Sequence, residues 1–422
     1  TAPIGEAKQI PGGMKLKGPS CTEVQRDAKD YIKPGENVAF CFDSKPPKNL
    51  ARKKAAEGTK SETKDKQGGQ GANGGGAVWC DTSGQNNTAW STRTQLCAVH
   101  DNYIVVVNKN GAPIGYAEGT VKQEITTHIG DTNFEEYFYY GMNGAIGGAK
   151  DLKVKITAAC RPSSVECHQG SGPWEGAVPI PVGSSRDGTW LREWTETTGH
   201  RSLELVYTLE ISLSNGVETG SGTASWGYNT LDEWKVRCDN EVATYAGCVV
   251  EAYTPTLVVK EKYNEARQFI GMVQSSMSTH PGWQGHGEPL HREADEAVAK
   301  KNRAVICDST FTANPSTPKP AQCDEFPFAK SKESGRQSGV TSGKVCQQYY
   351  VLSSIIEGKE YLSLGWPGSN QGTMPSASAK CARASMPKVQ NEGVGGDLGR
   401  LTTSQRILNG DAYWVDAGND NG

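Results

Sequence analysis

Leu203, Leu205, Tyr207, Leu209, Ile211 and Leu213 alternate with other residues without a break, and Asn215-Gly216 then turns the chain. Successive side chains of a strand leave on opposite faces, so this run has one apolar face. Such a strand needs a second layer to cover that face. The same period recurs at Leu152, Val154 and Ile156, and Ile104-Val105-Val106-Val107 leads into Asn110-Gly111, a hairpin dipeptide. With 50 glycines available for turns, residues 76–257 read as a mostly β, sandwich-like domain.

A chain of 422 residues has room for a second domain. Residues 1–75 carry a Lys-rich run, Lys45 to Lys66, and then a Gly/Gln/Asn-rich run, so they read as a flexible basic segment. A helix is expected over Thr256 to Met272, with Val259, Tyr263, Ala266 and Ile270 on one face. Residues 258–283 are thus a connecting helix and loop, and residues 284–422 a second, mixed domain. There, strands are expected at Tyr349–Leu352, Glu360–Leu364 and Tyr413–Val415, and a helix over Gly396 to Arg406.

The 12 cysteines are even in number and include no C-x-x-C pair. That pattern fits disulfides in an oxidising compartment better than a zinc ribbon. Nearest-neighbour pairing gives Cys21–Cys41, Cys80–Cys97, Cys160–Cys167, Cys238–Cys248, Cys307–Cys323 and Cys346–Cys381, although spacing alone does not fix connectivity. No apolar stretch approaches the ~20 residues of a membrane helix. Thr1 reads as the start of a mature chain after loss of a signal peptide, and Asn86 opens a glycosylation sequon. Secretion, no membrane partner and a monomeric state are the expectations. The net charge of −3 gives no global sign of nucleic-acid binding.

The segment richest in chemistry is Cys323-Asp324-Glu325-Phe326-Pro327-Phe328. Two acids beside a cysteine and a stiff aromatic-Pro-aromatic run can serve as a metal or acid/base site. Together with Ala329, Glu333 and Gly335, the segment resembles the signature of the NucA/NucB-type deoxyribonucleases. A second block is similar to that family at Asn391, Gly396, Leu398, Gly399, Gln405 to Asp411 and Tyr413 to Val415. A weaker third block comprises Pro289 to Arg292, Asp295, Lys301 to Ala304 and Cys307. The three blocks cover roughly the last third of the chain. The sequence departs from the family pattern at Lys330, Ser334, Glu392-Gly393-Val394 and Asp397.

The resemblance implies an α+β protein: a disulfide-rich, ββα-metal-like C-terminal nuclease domain behind the β-rich accessory domain. It implies an endonuclease for double-stranded DNA, with single strands as a further substrate and little sequence preference. Asp324 and Glu325 are then the catalytic pair. Asn391 and Glu333 are the metal-site residues for Mg²⁺ or Mn²⁺. Arg292, Arg303 and Arg406 are the phosphate contacts. His291 is a further candidate base that the blocks do not call for. The competing expectation is a non-catalytic secreted protein that binds polysaccharide or a cell surface through exposed aromatics of the β-rich domain, drawing on the 10 tryptophans.

Overall fold

The computed structural model describes residues 7–11, 13–43, 87–161, 167–169, 174, 176–196 and 198–419. The expected Lys-rich and Gly-rich runs, Cys80 and the Asn86 sequon lie outside the described residues. The chain divides into two compact units, Thr1–Tyr253 and Thr254–Gly422.

The first unit is built from the alternating runs. Its larger sheet contains β1 (Lys8–Ile10), β2 (Val38–Asp43), β3 (Thr88–Ser91), β4 (Gln95–Asn108), β5 (Pro113–Thr126) and β6 (Asn133–Gly147). The second sheet begins with β7 (Lys153–Arg161), while β8 (Cys167–Gln169) returns to the first sheet. β9 (Val178–Pro179) pairs with β7, and β10 (Ser185–Trp194) with β6 and β8. β11 (His200–Ser214) is the centre of the second sheet, pairing antiparallel with β7, β12 (Thr219–Gly227) and β13 (Lys235–Asp239). β14 (Gly247–Val250) pairs with β13.

The apolar face of β11 and the inward residues of β4, including Leu96, Ala98, Ile104 and Val106, belong to one core. Each buried Leu or Ile there stabilises the fold by about 1.5–3 kcal/mol. The core also holds a polar link. Arg192 lies 2.9 Å from Glu136, and Tyr207 Oη donates to Glu136 Oε1 at 2.7 Å. Three buried groups that satisfy one another avoid the desolvation penalty each would meet alone.

Residues expected to lie in a flexible N-terminal segment contribute to this unit. β1 pairs with β3 and β2 with β4. Helix α1 (Cys21–Arg26) is capped by Ser20, whose Oγ accepts the Glu23 N–H. The short α2 (Ala28–Tyr31) follows, and the Cys21–Cys41 disulfide ties α1 to β2. The tryptophans are also placed differently from the expected binding platforms. Trp174, Trp190, Trp194, Trp226 and Trp234 are all core residues. Their large apolar area stabilises the sandwich from within.

In the second unit β15 (Thr256–Val258) pairs parallel with the last strand, β21 (Ala412–Asp416), and β16 (Leu290–His291) pairs antiparallel with it. The expected helix therefore starts later: α3 spans Asn264–Ser276. Helix α4 (Glu296–Ile306) is capped by Asp295, which accepts the Ala297 N–H at 2.8 Å and the Val298 N–H at 3.2 Å. A four-stranded sheet runs in the order β17 (Ala321–Phe326), β20 (Ala382–Pro387), β18 (Gln347–Ile356), β19 (Lys359–Gly365). Helix α5 (Lys388–Ser404) follows β20 directly, eight residues earlier than expected.

This arrangement overturns the expected ββα-metal-like domain. The β18–β19 hairpin does not hand over to a helix. The chain instead returns through β20, antiparallel to β17 and parallel to β18. All six residues of β20 are buried, so both its faces are covered and no alternation marks it in the sequence. The protein is mostly β, with several antiparallel sheets. Among the described residues, no helix is long and apolar enough to cross a membrane.

Candidate functional site

Disulfides form in the expected nearest-neighbour pairs Cys21–Cys41, Cys238–Cys248, Cys307–Cys323 and Cys346–Cys381. Cys97 and Cys160 are also disulfide-bonded. The Cys307–Cys323 bridge joins the C-terminal end of α4 to β17, next to the acid pair.

Asp324 and Glu325 lie on β17, an edge strand of its sheet. Adjacent strand residues face opposite ways. Asp324 sits opposite Ala384 and Glu325 opposite Arg383. The pair is therefore split across the sheet rather than presented together. Phe326 and Phe328 meet edge-to-face at 5.1 Å in the core and anchor the strand end behind the acids.

Both carboxyls are more than nine-tenths buried. Burial pushes Asp324 up to about 7, against the opposing pull of the Glu325 N–H, which donates to Asp324 Oδ1 at 2.9 Å, and of Arg303. Burial also pushes Glu325 up to about 8. Arg303 opposes that rise and the Asp324 charge adds to it. Arg303 Nε is 3.5 Å from Glu325 Oε2, and its Nη2 donates to the Cys323 carbonyl at 3.1 Å. Arg383 faces the same side as Glu325 but is committed elsewhere, to Asp308, the Ile306 carbonyl and Gln348.

On the Asp324 side, helix α5 brings up Asn391. Its Nδ2 donates to Gln322 Oε1 at 3.1 Å and to the Cys323 carbonyl at 3.3 Å, which leaves Oδ1 as its spare atom. On another face of the same helix, Gly393 allows close packing on Tyr263. A Cβ at Gly393 would stand 2.3 Å from the Tyr263 ring.

Glu333 is not part of this group. Its Oε1 is 2.7 Å from His291 Nδ1, and its Oε2 accepts the His291 backbone N–H at 2.9 Å. Ser334 Oγ donates to the Pro327 carbonyl at 2.8 Å and ties this segment to the residues after β17. Gly335 is required by a φ of +52° and by the backbone of Asn302, whose Cα would lie 2.4 Å from an added Cβ. A carboxylate that accepts the Nδ1 proton holds a histidine with Nε2 outward as a proton acceptor. Sequence reasoning missed this pair because its members stand 42 positions apart.

Of the three expected phosphate contacts, Arg303 is half exposed beside the acids. Arg292 Nη1 donates to the Ile407 carbonyl. Arg406 is fully buried, so it has no surface to offer a phosphate.

No group of three or more His, Cys, Asp or Glu side chains able to hold a metal ion occurs among the described residues. The donor chemistry near Asp324 still fits a hard cation that keeps most of its water. It has a desolvated carboxyl and a spare amide oxygen. Glu333, spent on His291, does not fit that set. No family model, curated protein or solved structure matches the chain.

Proposed function

We propose that the protein is a secreted, metal-dependent endonuclease that hydrolyses DNA phosphodiester bonds with little sequence preference. The observation that carries this reading is the desolvated Asp324–Glu325 pair on an edge strand, with the half-exposed Arg303 beside it. The sequence blocks that resemble NucA/NucB-type deoxyribonucleases supply the substrate class. Disulfide bonding supports an oxidising, extracellular setting.

A carboxyl with a pKa near the working pH is matched to moving a proton. Asp324 positions the attacking water and accepts its proton. The water oxygen bonds to phosphorus, the ester P–O bond breaks, and the departing oxygen takes a proton from solvent to leave as a hydroxyl, while Asp324 returns its own to solvent. Arg303, which lies on the Glu325 side and reaches the strand edge at the Cys323 carbonyl, pairs there with a non-bridging phosphate oxygen. Asp324 and Asn391 Oδ1 are the residues that would hold Mg²⁺ or Mn²⁺, and the ion's charge would offset the negative charge that develops at phosphorus. Glu325, kept protonated by burial, supports the strand without adding a second negative charge. Trp174, Trp190, Trp194, Trp226 and Trp234 lie in the core of the first unit, so these five do not offer a platform for the competing polysaccharide-binding reading.

Purified protein incubated with supercoiled plasmid is expected to nick it with Mg²⁺ or Mn²⁺ and to leave it intact in EDTA. Intact plasmid under all three conditions ends the nuclease reading. Glu333→Gln provides a finer test. It should leave cleavage close to the wild-type rate, far from the 10²–10⁴-fold effect of removing a general base outright. The Mg²⁺ concentration for half-maximal rate should stay where it is, because Glu333 orients His291. A large rise in that concentration would return Glu333 to the metal site.

A further inference from the structure

We infer that the second unit has another ligand site, a cavity of about 550 Å³ between α3 and β19, and that it takes a nucleoside monophosphate. β19 is the opposite edge of the four-stranded sheet from β17, so this cavity is separate from the acid pair. Its size suits a ligand of that class, since small-molecule sites run from roughly 300 to 1,000 Å³.

One face of α3 lines it, with Asn264, Arg267 and Ser275 at helical spacing, and Trp366 just past the end of β19 lies across from them. Arg267 is the anion-seeking group. Its Nε is enclosed by protein, so the Nη groups are what a ligand in the cavity would meet. Its nearest acid, Glu261, is 3.7 Å from Nη1 and 90% exposed, a loose pairing. A guanidinium whose Nη groups border a cavity with only that loose pairing suits an oxyanion. The wall beside it is fitted to that group. Gly418 has a φ of +78°, and a Cβ there would come within 1.9 Å of Arg267 Nη2.

Trp366 is the stacking group. Its Nε1–H donates to the Thr373 carbonyl at 2.7 Å, which fixes the indole plane. A fixed, half-buried indole across from an arginine suits a flat ring bearing an anionic arm. Asn264 adds an amide for a ring edge or a sugar hydroxyl. The choice of a nucleotide rests on the nuclease reading. The site would hold a strand end or a released product.

The test is calorimetric titration of the full chain in EDTA, where no cleavage occurs, with deoxyadenosine 5′-monophosphate. Inorganic phosphate, deoxyadenosine and galacturonate serve as comparison ligands. Saturable binding of the monophosphate is expected, at least about tenfold tighter than phosphate or deoxyadenosine alone, the gain that one stacked base brings. Arg267→Gln and Trp366→Leu should each weaken it about tenfold or more. Ser275→Trp, an exposed change that fills the cavity, should block binding without touching either group. The inference is overturned if the monophosphate does not bind, if phosphate binds as tightly, or if galacturonate binds more tightly. Binding without plasmid cleavage would keep this site and reject the nuclease reading. Cleavage without binding would do the reverse.

Discussion

Asp324→Asn is expected to cut DNA cleavage by about 10²–10⁴-fold and, in EDTA at pH 8, to make the protein more stable. The first effect follows from loss of the proton acceptor. The second follows from where the carboxyl sits. Folding raises Asp324 from its ordinary 3.8 to about 7, chiefly by burial. A folded-state pKa above the unfolded one means the native protein holds the proton longer. Stability is then full below about pH 4 and declines as pH rises towards 7, where the native carboxyl also ionises. At about 1.36 kcal/mol per pH unit, that loss is on the order of 4 kcal/mol for Asp324. An asparagine carries no charge to desolvate and keeps the acceptor for the Glu325 N–H. Melting curves of both proteins at pH 4 and pH 8 check this. The variant should melt higher at pH 8 and near the wild type at pH 4. Mg²⁺ should raise the melting temperature of the wild type alone at pH 8. A variant that cleaves at the wild-type rate moves the base elsewhere, and one that melts lower at pH 8 rejects the desolvated carboxyl.

On the nuclease reading, proton acceptance and stability oppose each other at one residue, and that residue was legible in the sequence for a local reason. Two acids before Phe326-Pro327-Phe328 are an unusual neighbour for an aromatic anchor, so Asp324 and Glu325 stand out without a structure. Their split across a sheet follows from the two-residue strand period and is equally local. The partnership of His291 with Glu333 is not, because tertiary folding alone brings residues 42 apart together. Arg406 was expected as a phosphate contact, yet the close of α5 turns it inward, with a φ of +48° and no exposure.

The same division holds for the fold. The unbroken alternation of β11 and the Asn-Gly turns could be read directly, because one face of each strand is apolar. β20 could not, since a strand buried on both faces loses its period. Its small residues, Ala382, Ala384 and Ser385, look like a loop. Missing β20 produced the false strand-strand-helix order. In α5, Gly393 and Gly395 hid the start of the helix, since each glycine costs about 1 kcal/mol relative to alanine there. Packing of Val394 and Leu398 into the core holds it helical.

Replacing Cys307 and Cys323 together with serine is expected to destabilise the second unit by about 3 kcal/mol and to abolish most cleavage. The bridge closes a separation of 16 residues, which sets the entropic part of that figure. Its position sets the functional part. Cys307 is the C-cap of α4, the helix that carries Arg303, and Cys323 precedes Asp324. Cys307 Sγ also lies 3.8 Å from Glu325 Oε2. A bonded sulfur has no proton to give, so this contact only excludes water from the carboxyl. Without the bridge, β17 loses its covalent tie to α4, water reaches Glu325, and Arg303 drifts from the acids. The Cys346–Cys381 bridge is the control, closing a separation of 35 residues. Its removal should cost about as much stability, on the order of 4 kcal/mol by the same loop arithmetic. It packs on Ile306 and Cys307 at the end of α4 but leaves the covalent tie between α4 and β17 in place, so cleavage at a temperature where the variant stays folded should fall less. Chemical unfolding and plasmid nicking, measured side by side on the two double variants, separate stability from alignment. Equal losses of cleavage in both would show that the bridge beside the acids only holds the fold.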